Sequence, residues 1–278
     1  MKKTVFVLPV AVLLLFSACV EEKVIPKISI ETEGARENFG EKIVITPMDD
    51  SVKISRGKIT LTPDKENTVY TVSGYFNGQI ESNTKNTVIK LQNAWLENTS
   101  GKPAIRANAK TEVSSVKDST NYIISRGRSF LKTAALLSKR GLVLGGSGTL
   151  YIKGKICHAV EAEDVKIKGS GIFYLEGTKR GSALTCENLT VENDKSFTAY
   201  FLNAKNGIKA DRTIKIGSGN FHLYNNGTAL KTDSDEKSPR QVQAITLSGG
   251  KFYLFENGIF VNQETALDAS GAEIFNLN

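Results

Sequence analysis

Histidine, cysteine and proline are scarce in this chain: 2 His, 3 Cys and 6 Pro in 278 residues. With so few His and Cys, none clustered at metal-ligand spacing, a His/Cys metal centre is excluded. No Ser/His/Asp set stands out, and no paired carboxylates recur on one face as glycosidase chemistry requires. Few prolines beside 40% hydrophobic residues argue against wholesale disorder. The formal net charge is +7, yet no Lys/Arg run is long enough for a nucleic-acid surface. After residue 19 no stretch has the helical hydrophobic period, which argues against a helical fold.

A long apolar run occurs once, at the start. Lys2 and Lys3 precede the apolar stretch Val5 to Phe16, which is too short to span a bilayer and has the flanks of an export signal. Phe16-Ser17-Ala18-Cys19 resembles a bacterial lipobox, with Phe16 where Leu, Val or Ile is usual. It implies removal of residues 1–18 and lipidation of Cys19. The alternative is an ordinary secretory signal cut near Ala18. Several acyl chains on Cys19 would make the protein an exported, membrane-anchored lipoprotein at the outer membrane, the cell surface or in the periplasm.

What the chain has in abundance is repetition. Blocks beginning at Leu142, Val165, Leu189, Ile214 and Ile245 each carry alternating apolar residues and a second strand containing Leu150, Phe173, Phe197, Phe221 or Phe252. The blocks start 23, 24, 25 and 31 residues apart, and such a period means stacked β-coils. A third segment recurs as Ile105/Ala107, Leu136/Ser138, Val160/Ala162, Leu184/Cys186, Ile208/Ala210, Leu230/Thr232 and Ile259/Val261. Period two places these pairs on the inner face. The expected fold is all-β, a parallel β-helix of about seven rungs with three short strands each. A β-sandwich of hairpins is the alternative, but it would not need like residues at one period.

The expected organisation is a signal at 1–18, a tether and N-terminal cap at 19–51, and the β-helix at 52–278. The spacer carries the domain away from the membrane, and the tail from Leu267 is the second cap. Lys110 to Phe130 and Thr232 to Gln241 read as excursions leaving the coil at corners. Cys186 falls on an inward position, which favours a buried thiol over a disulfide with Cys157.

Val88 to Ile105 reads VIKLQNAWLENTSGKPAI, followed by Gly146-Ser147-Gly148-Thr149-Leu150, Asn206-Gly207-Ile208-Lys209 and Gly249-Gly250-Lys251-Phe252. In order and spacing these resemble the bacterial β-helix carbohydrate-binding proteins whose prototype binds polygalacturonate, over roughly Val69 to Val261. The resemblance implies a right-handed β-helix that binds acidic, pectin-type polysaccharide with calcium between protein and sugar. Where that family places Asp-Gly pairs at successive corners, this chain has His158-Ala159, Ser182-Ala183, Asn206-Gly207, Gly227-Thr228 and Asn257-Gly258. The family's late acidic loop corresponds to Lys231 through Glu236. Calcium needs several oxygens, so the candidate ligands are Asp233, Asp235 and Glu236.

Outward positions of the second strands form a candidate aromatic platform for sugar rings: Tyr151, Tyr174, then Thr198 or Tyr200, His222 and Tyr253. Lys166 and Lys215 on one outward line, and Lys209 and Lys231 beside Asn206 on another, are candidates for sugar carboxylates. The function expected is non-catalytic binding of an acidic, uronate-type polysaccharide. Two alternatives remain: an adhesive solenoid with a protein partner, and a calcium-dependent lyase with Lys209 or Lys215 as base.

Overall fold

The computed structural model describes residues 29–32, 34–128, 133–192, 196–233, 244–262 and 265–277. Short runs rich in Val, Ile, Thr, Tyr and Phe favour extended backbone, and Gly, Asn and Ser between them turn the chain. Most runs pair in parallel with the equivalent run one coil later. Leu142 lies opposite Val165, Val165 opposite Leu189, Leu189 opposite Ile214, and Ile214 opposite Ile245. The repeat blocks are therefore one column. The protein is all-β and solenoid-like, with a mostly parallel sheet and, among the described residues, only a 3-10 turn at Ala35–Asn38.

Three faces result. The first contains strands such as Ile105–Ala107, Ala134–Ser138, His158–Glu161 and Thr228–Thr232. The second contains Thr111–Ser115, Leu142–Gly146, Asp164–Ile167 and Ala244–Leu247. The third contains Thr120–Ser125, Thr149–Gly154, Ile172–Glu176, Thr198–Leu202, Asn220–Tyr224 and Lys251–Phe255. The longer strands Ser182–Val191 and Asn206–Ile216 run from the first face onto the second, with a bulge between Cys186 and Asn188. Stacked turns constrain the backbone: Gly146 and Gly169 have φ of 100° and 99°, and a Cβ on Gly169 would lie 2.2 Å from the Gly146 carbonyl oxygen.

The core is a set of columns. On the third face the inner register runs Leu150, Phe173, Ala199, Phe221 and Phe252. Ala199, not Phe197, therefore occupies the strand position. Phe197 stands just before the strand, fully buried, and packs edge-on against Phe173 and Phe221 at 5.9 and 5.4 Å, filling the space that Ala199 leaves. Cys157 and Cys186 are both buried and are not joined to each other.

Several expectations change. Lys110 to Phe130 is not an excursion, because Thr111–Ser115 and Thr120–Ser125 are ordinary coil strands. Their apolar signature is broken by Asn121, which takes the inner position opposite Leu150. Its amide oxygen accepts from the Ala94 N–H at 3.0 Å and its NH2 donates to Ser115 and Ser119 at 2.7 and 2.9 Å, so a polar plug stands inside the column. At the other end Val261, not Ile259, lies opposite Leu230, and Ile259 is exposed. The tail expected as the second cap extends the ladders with Ala266–Asp268 and Glu273–Asn276, and Leu267, Ile274 and Phe275 are exposed. The first coil is closed by antiparallel pairs, Val44–Thr46 on Val69–Asn77 and Val52–Ser55 on Lys58–Leu61. The loop expected after Thr232 lies outside the described residues from Ser234 to Gln241.

Removing the Asn121 side chain strands buried polar partners, so Asn121→Ala should cost about 1–3 kcal/mol. Phe221→Ala should cost about 3–5 kcal/mol through the cavity left between Phe197 and Phe252. Urea unfolding of both variants checks the order.

Candidate functional site

The expected site residues fall on three different faces. Lys209 and Lys231 are register neighbours on the first, and Lys166 and Lys215 flank Thr190 on the second. Tyr151, Tyr174, His222 and Tyr253 stand on the third. No single groove can use them all.

On the first face the polar residues satisfy one another. Asp233 accepts Lys209 on one carboxylate oxygen at 2.7 Å and Lys231 on the other at 2.8 Å, and Lys209 also lies 3.3 Å from Asp211. Burial alone would raise the Asp233 carboxyl, but the bonds and charges of the two lysines outweigh it and hold it below the ordinary value. Burial would lower Lys209, and its bond to Asp233 with the nearby acids outweighs that and raises it. A carboxylate so occupied does not fit a calcium ligand. Asp235 and Glu236 lie outside the described residues, among which no three His, Cys, Asp or Glu side chains gather for a metal. Asn206 is buried and donates to the Ser182 hydroxyl at 3.1 Å, so its amide NH2 is engaged within the first face. On the second face Lys166 pairs with Glu192 and lines a shallow cleft of about 460 Å³, and Lys215 lines another of about 580 Å³.

The third face carries one uninterrupted stack of rings. Trp95, Tyr122, Tyr151, Tyr174, Tyr200, His222, Tyr253 and Phe275 follow one another in register. Centroids are 4.4 to 5.0 Å apart, and from Tyr122 onward the planes are tilted by only 6° to 15°. Strand spacing of about 4.7–4.9 Å dictates this contact. The consequence corrects the platform expectation. Each inner ring has both faces covered by its neighbours, so what it turns outward is its edge and, for tyrosine, its hydroxyl.

Burial raises the phenols of Tyr122, Tyr151 and Tyr174, the last to about 12 with help from Tyr151 and Tyr200. These hydroxyls stay protonated and offer both donor and acceptor. Burial lowers His222, which keeps the imidazole neutral between Tyr200 and Tyr253.

Two residues further along each strand a second outward column runs Glu97, Ile124, Lys153, Glu176, Leu202, Tyr224 and Phe255. The segment expected to be a spacer lies against it. The Ile30 N–H donates to Glu176 at 2.7 Å, Lys153 donates to the Ile30 carbonyl at 2.8 Å, and Lys153 and Glu176 pair at 2.8 Å. Phe39 packs on Trp95 and Tyr122 at 5.4 and 5.6 Å, and Arg36 sits 3.9 Å over the Tyr75 ring. This strap buries Trp95 and Tyr122 and leaves Tyr151, Tyr174, Tyr200, His222 and Tyr253 half-exposed. Sequence reasoning missed Trp95, Tyr122 and Phe275, and left Tyr200 open against Thr198. The missing signal was register, since Tyr122 stood in the supposed excursion and Phe275 in the supposed cap.

The ladder and its strap can be set beside known proteins. A family model described as "Carbohydrate-binding domain-containing protein" matches residues 55–165. The solved structure of a polysaccharide lyase-like protein from C. thermocellum is similar at a TM-score of 0.61 with 15% identity, covering 82% of this chain and 94% of that one. That likeness shows a shared fold. No curated protein matches the chain.

Because the fold favours neutral His222, stability is fully present above the ordinary histidine value near 6.5 and falls as pH drops towards the lower folded value. His222→Phe keeps the stack and should remove that part of the pH dependence. Melting midpoints between pH 7 and 4.5 read it directly.

Proposed function

We propose that this chain is a non-catalytic carbohydrate-binding protein that holds an acidic polysaccharide along its third face. The uninterrupted row of ring edges from Tyr151 to Tyr253 is the observation that carries this reading. The hydroxyls of Tyr151, Tyr174 and Tyr200 repeat at the coil spacing, a length of the order of one sugar ring, and His222 and Tyr253 continue the row with a ring nitrogen and a further hydroxyl, so successive sugars could meet a polar edge at each coil. The matching carbohydrate-binding family model, over residues that include Tyr122 and Tyr151, supports carbohydrate as the ligand. We take the coil to be a right-handed parallel β-helix of at least seven rungs.

Without residues 1–18, which hold Lys2 and Lys3 and no acid, 34 basic against 29 acidic residues leave +5, an excess that suits an anionic ligand through the long-range field. Lys166, Lys209, Lys215 and Lys231 stand on other faces and act only through that field. Lys209, held protonated between Asp211 and Asp233, is unsuited to serve as a lyase base. Absence of unsaturated products from uronate polymers is the expected result, and their release would instead support a lyase.

Tyr174→Phe with Tyr200→Phe removes two hydroxyls and keeps the stack. At about 1 kcal/mol for each lost hydrogen bond, affinity should fall roughly ten-fold or more while the melting midpoint holds. Calorimetry with uronate oligosaccharides, run with and without calcium, measures the affinity. Unchanged affinity would remove the ring row from the site.

Export as a lipoprotein is part of the same proposal, with Cys19 acylated and the domain held at a membrane. Cys19→Ala should release the protein from the membrane fraction and abolish palmitate labelling. Retention of both would contradict the anchor.

A further inference from the structure

Away from the ring row, the corner where the third face turns into the first holds a cleft of about 820 Å³. Arg56 stands on the hairpin turn at its rim, Lys58 follows it, and Lys102 closes the next turn, while no acidic side chain lines the cleft. Lys58 is paired with Glu81 at 3.1 Å, but Arg56 and Lys102 have no side-chain partner among the described residues. The walls are already built. The Asn77 amide oxygen accepts from the Thr99 N–H and hydroxyl at 3.3 and 3.2 Å. That of Asn98 accepts from the Ser100 N–H and hydroxyl at 2.9 and 2.7 Å, and its NH2 donates to the Pro103 carbonyl at 3.1 Å. A Cβ on Gly78 would lie 2.5 Å from the Gly57 carbonyl oxygen, so hairpin and corner are packed without slack. Acceptors are thus consumed inside the wall, and cationic donors are left facing the space. The charged residues lining the first-face cleft of about 350 Å³ are mostly acids instead, Glu161, Glu163, Glu187 and Asp211 with Lys139.

We infer that the Arg56–Lys102 cleft is an oxyanion site which, if the carbohydrate reading above holds, takes a carboxylate of the acidic saccharide. A guanidinium fork matches a planar carboxylate in two bonds, and a nearby ammonium adds a point charge. The lysines singled out by position along the coils are tied to acids or stand on other faces. Discrimination between acidic and neutral sugars falls to this corner.

Two probes applied to the full chain test it. Sodium sulfate at constant ionic strength should shift the amide NMR signals of Gly78, Thr99 and Ser100, and R56A/K102A should abolish those shifts. A uronate oligosaccharide should bind about ten-fold more tightly than its carboxyl-reduced counterpart, as charge-assisted bonds of about 1.5–3 kcal/mol allow, and R56A/K102A should remove most of that difference, leaving only the small preference set by the remaining net positive charge. Both residues are exposed turn positions, so an unchanged melting midpoint verifies folding. Absence of sulfate shifts at these amides, shifts that persist in the double variant, or a uronate preference that survives it undiminished overturns the site. Sulfate shifts with no saccharide binding at all keep the oxyanion site and sink the carbohydrate reading.

Discussion

Backbone hydrogen bonds between successive coils set one distance, about 4.7–4.9 Å, and almost everything else here follows from it. Any side chain must live in contact with its equivalents one coil above and below. Aromatic residues turn that requirement into the ring stack from Trp95 to Phe275. Asparagines at the corners turn it into hydrogen bonds, as where Asn225 donates to Asn203 at 3.0 Å and Asn257 accepts from the Asn226 N–H at 3.1 Å. These corners also need left-handed backbone, and Asn203 and Asn225 supply it at φ of 54° and 49°.

The same distance is hostile to like charges. Lys209 directly above Lys231 is tolerable because Asp233 accepts from both. Such pairs tie the lysines of the first face to the acids beside them. Glu161 lies in the same outward column, and burial with the nearby Asp211 raises its carboxyl. The third face avoids the problem with uncharged rings. Where it does carry charge, Lys153 is matched by Glu176 and both are bridged by the Ile30 backbone.

Periodicity made the coil legible in the sequence, because Leu142, Val165, Leu189, Ile214 and Ile245 repeat both residue type and spacing. It failed where chemistry inside the column changed. Asn121 broke the apolar alternation although it occupies an inner position, because buried hydroxyls satisfy it in a way no linear pattern records. Phe197 and Ala199 exchanged roles since a neighbouring residue can fill a strand's volume from outside the strand. Tyr151, Tyr174, His222 and Tyr253 were read as one row, and they are one row. Their mode of contact was not legible: outward position says nothing of whether a ring offers its face or its edge. Ile30 and Phe39 gave no sign that they would pack beside that row, the one on Lys153 and Glu176 and the other on Trp95 and Tyr122, since both are isolated apolar residues in a charged stretch.

The account stands on the claim that ligand meets the ring edges of the third face. An oligosaccharide-bound crystal structure tests it most directly. The account predicts sugar oxygens within hydrogen-bond distance of the hydroxyls of Tyr151, Tyr174 and Tyr200, with the chain of sugars running along the stack. Sugar seated on the first or second face, with those hydroxyls untouched, would contradict it.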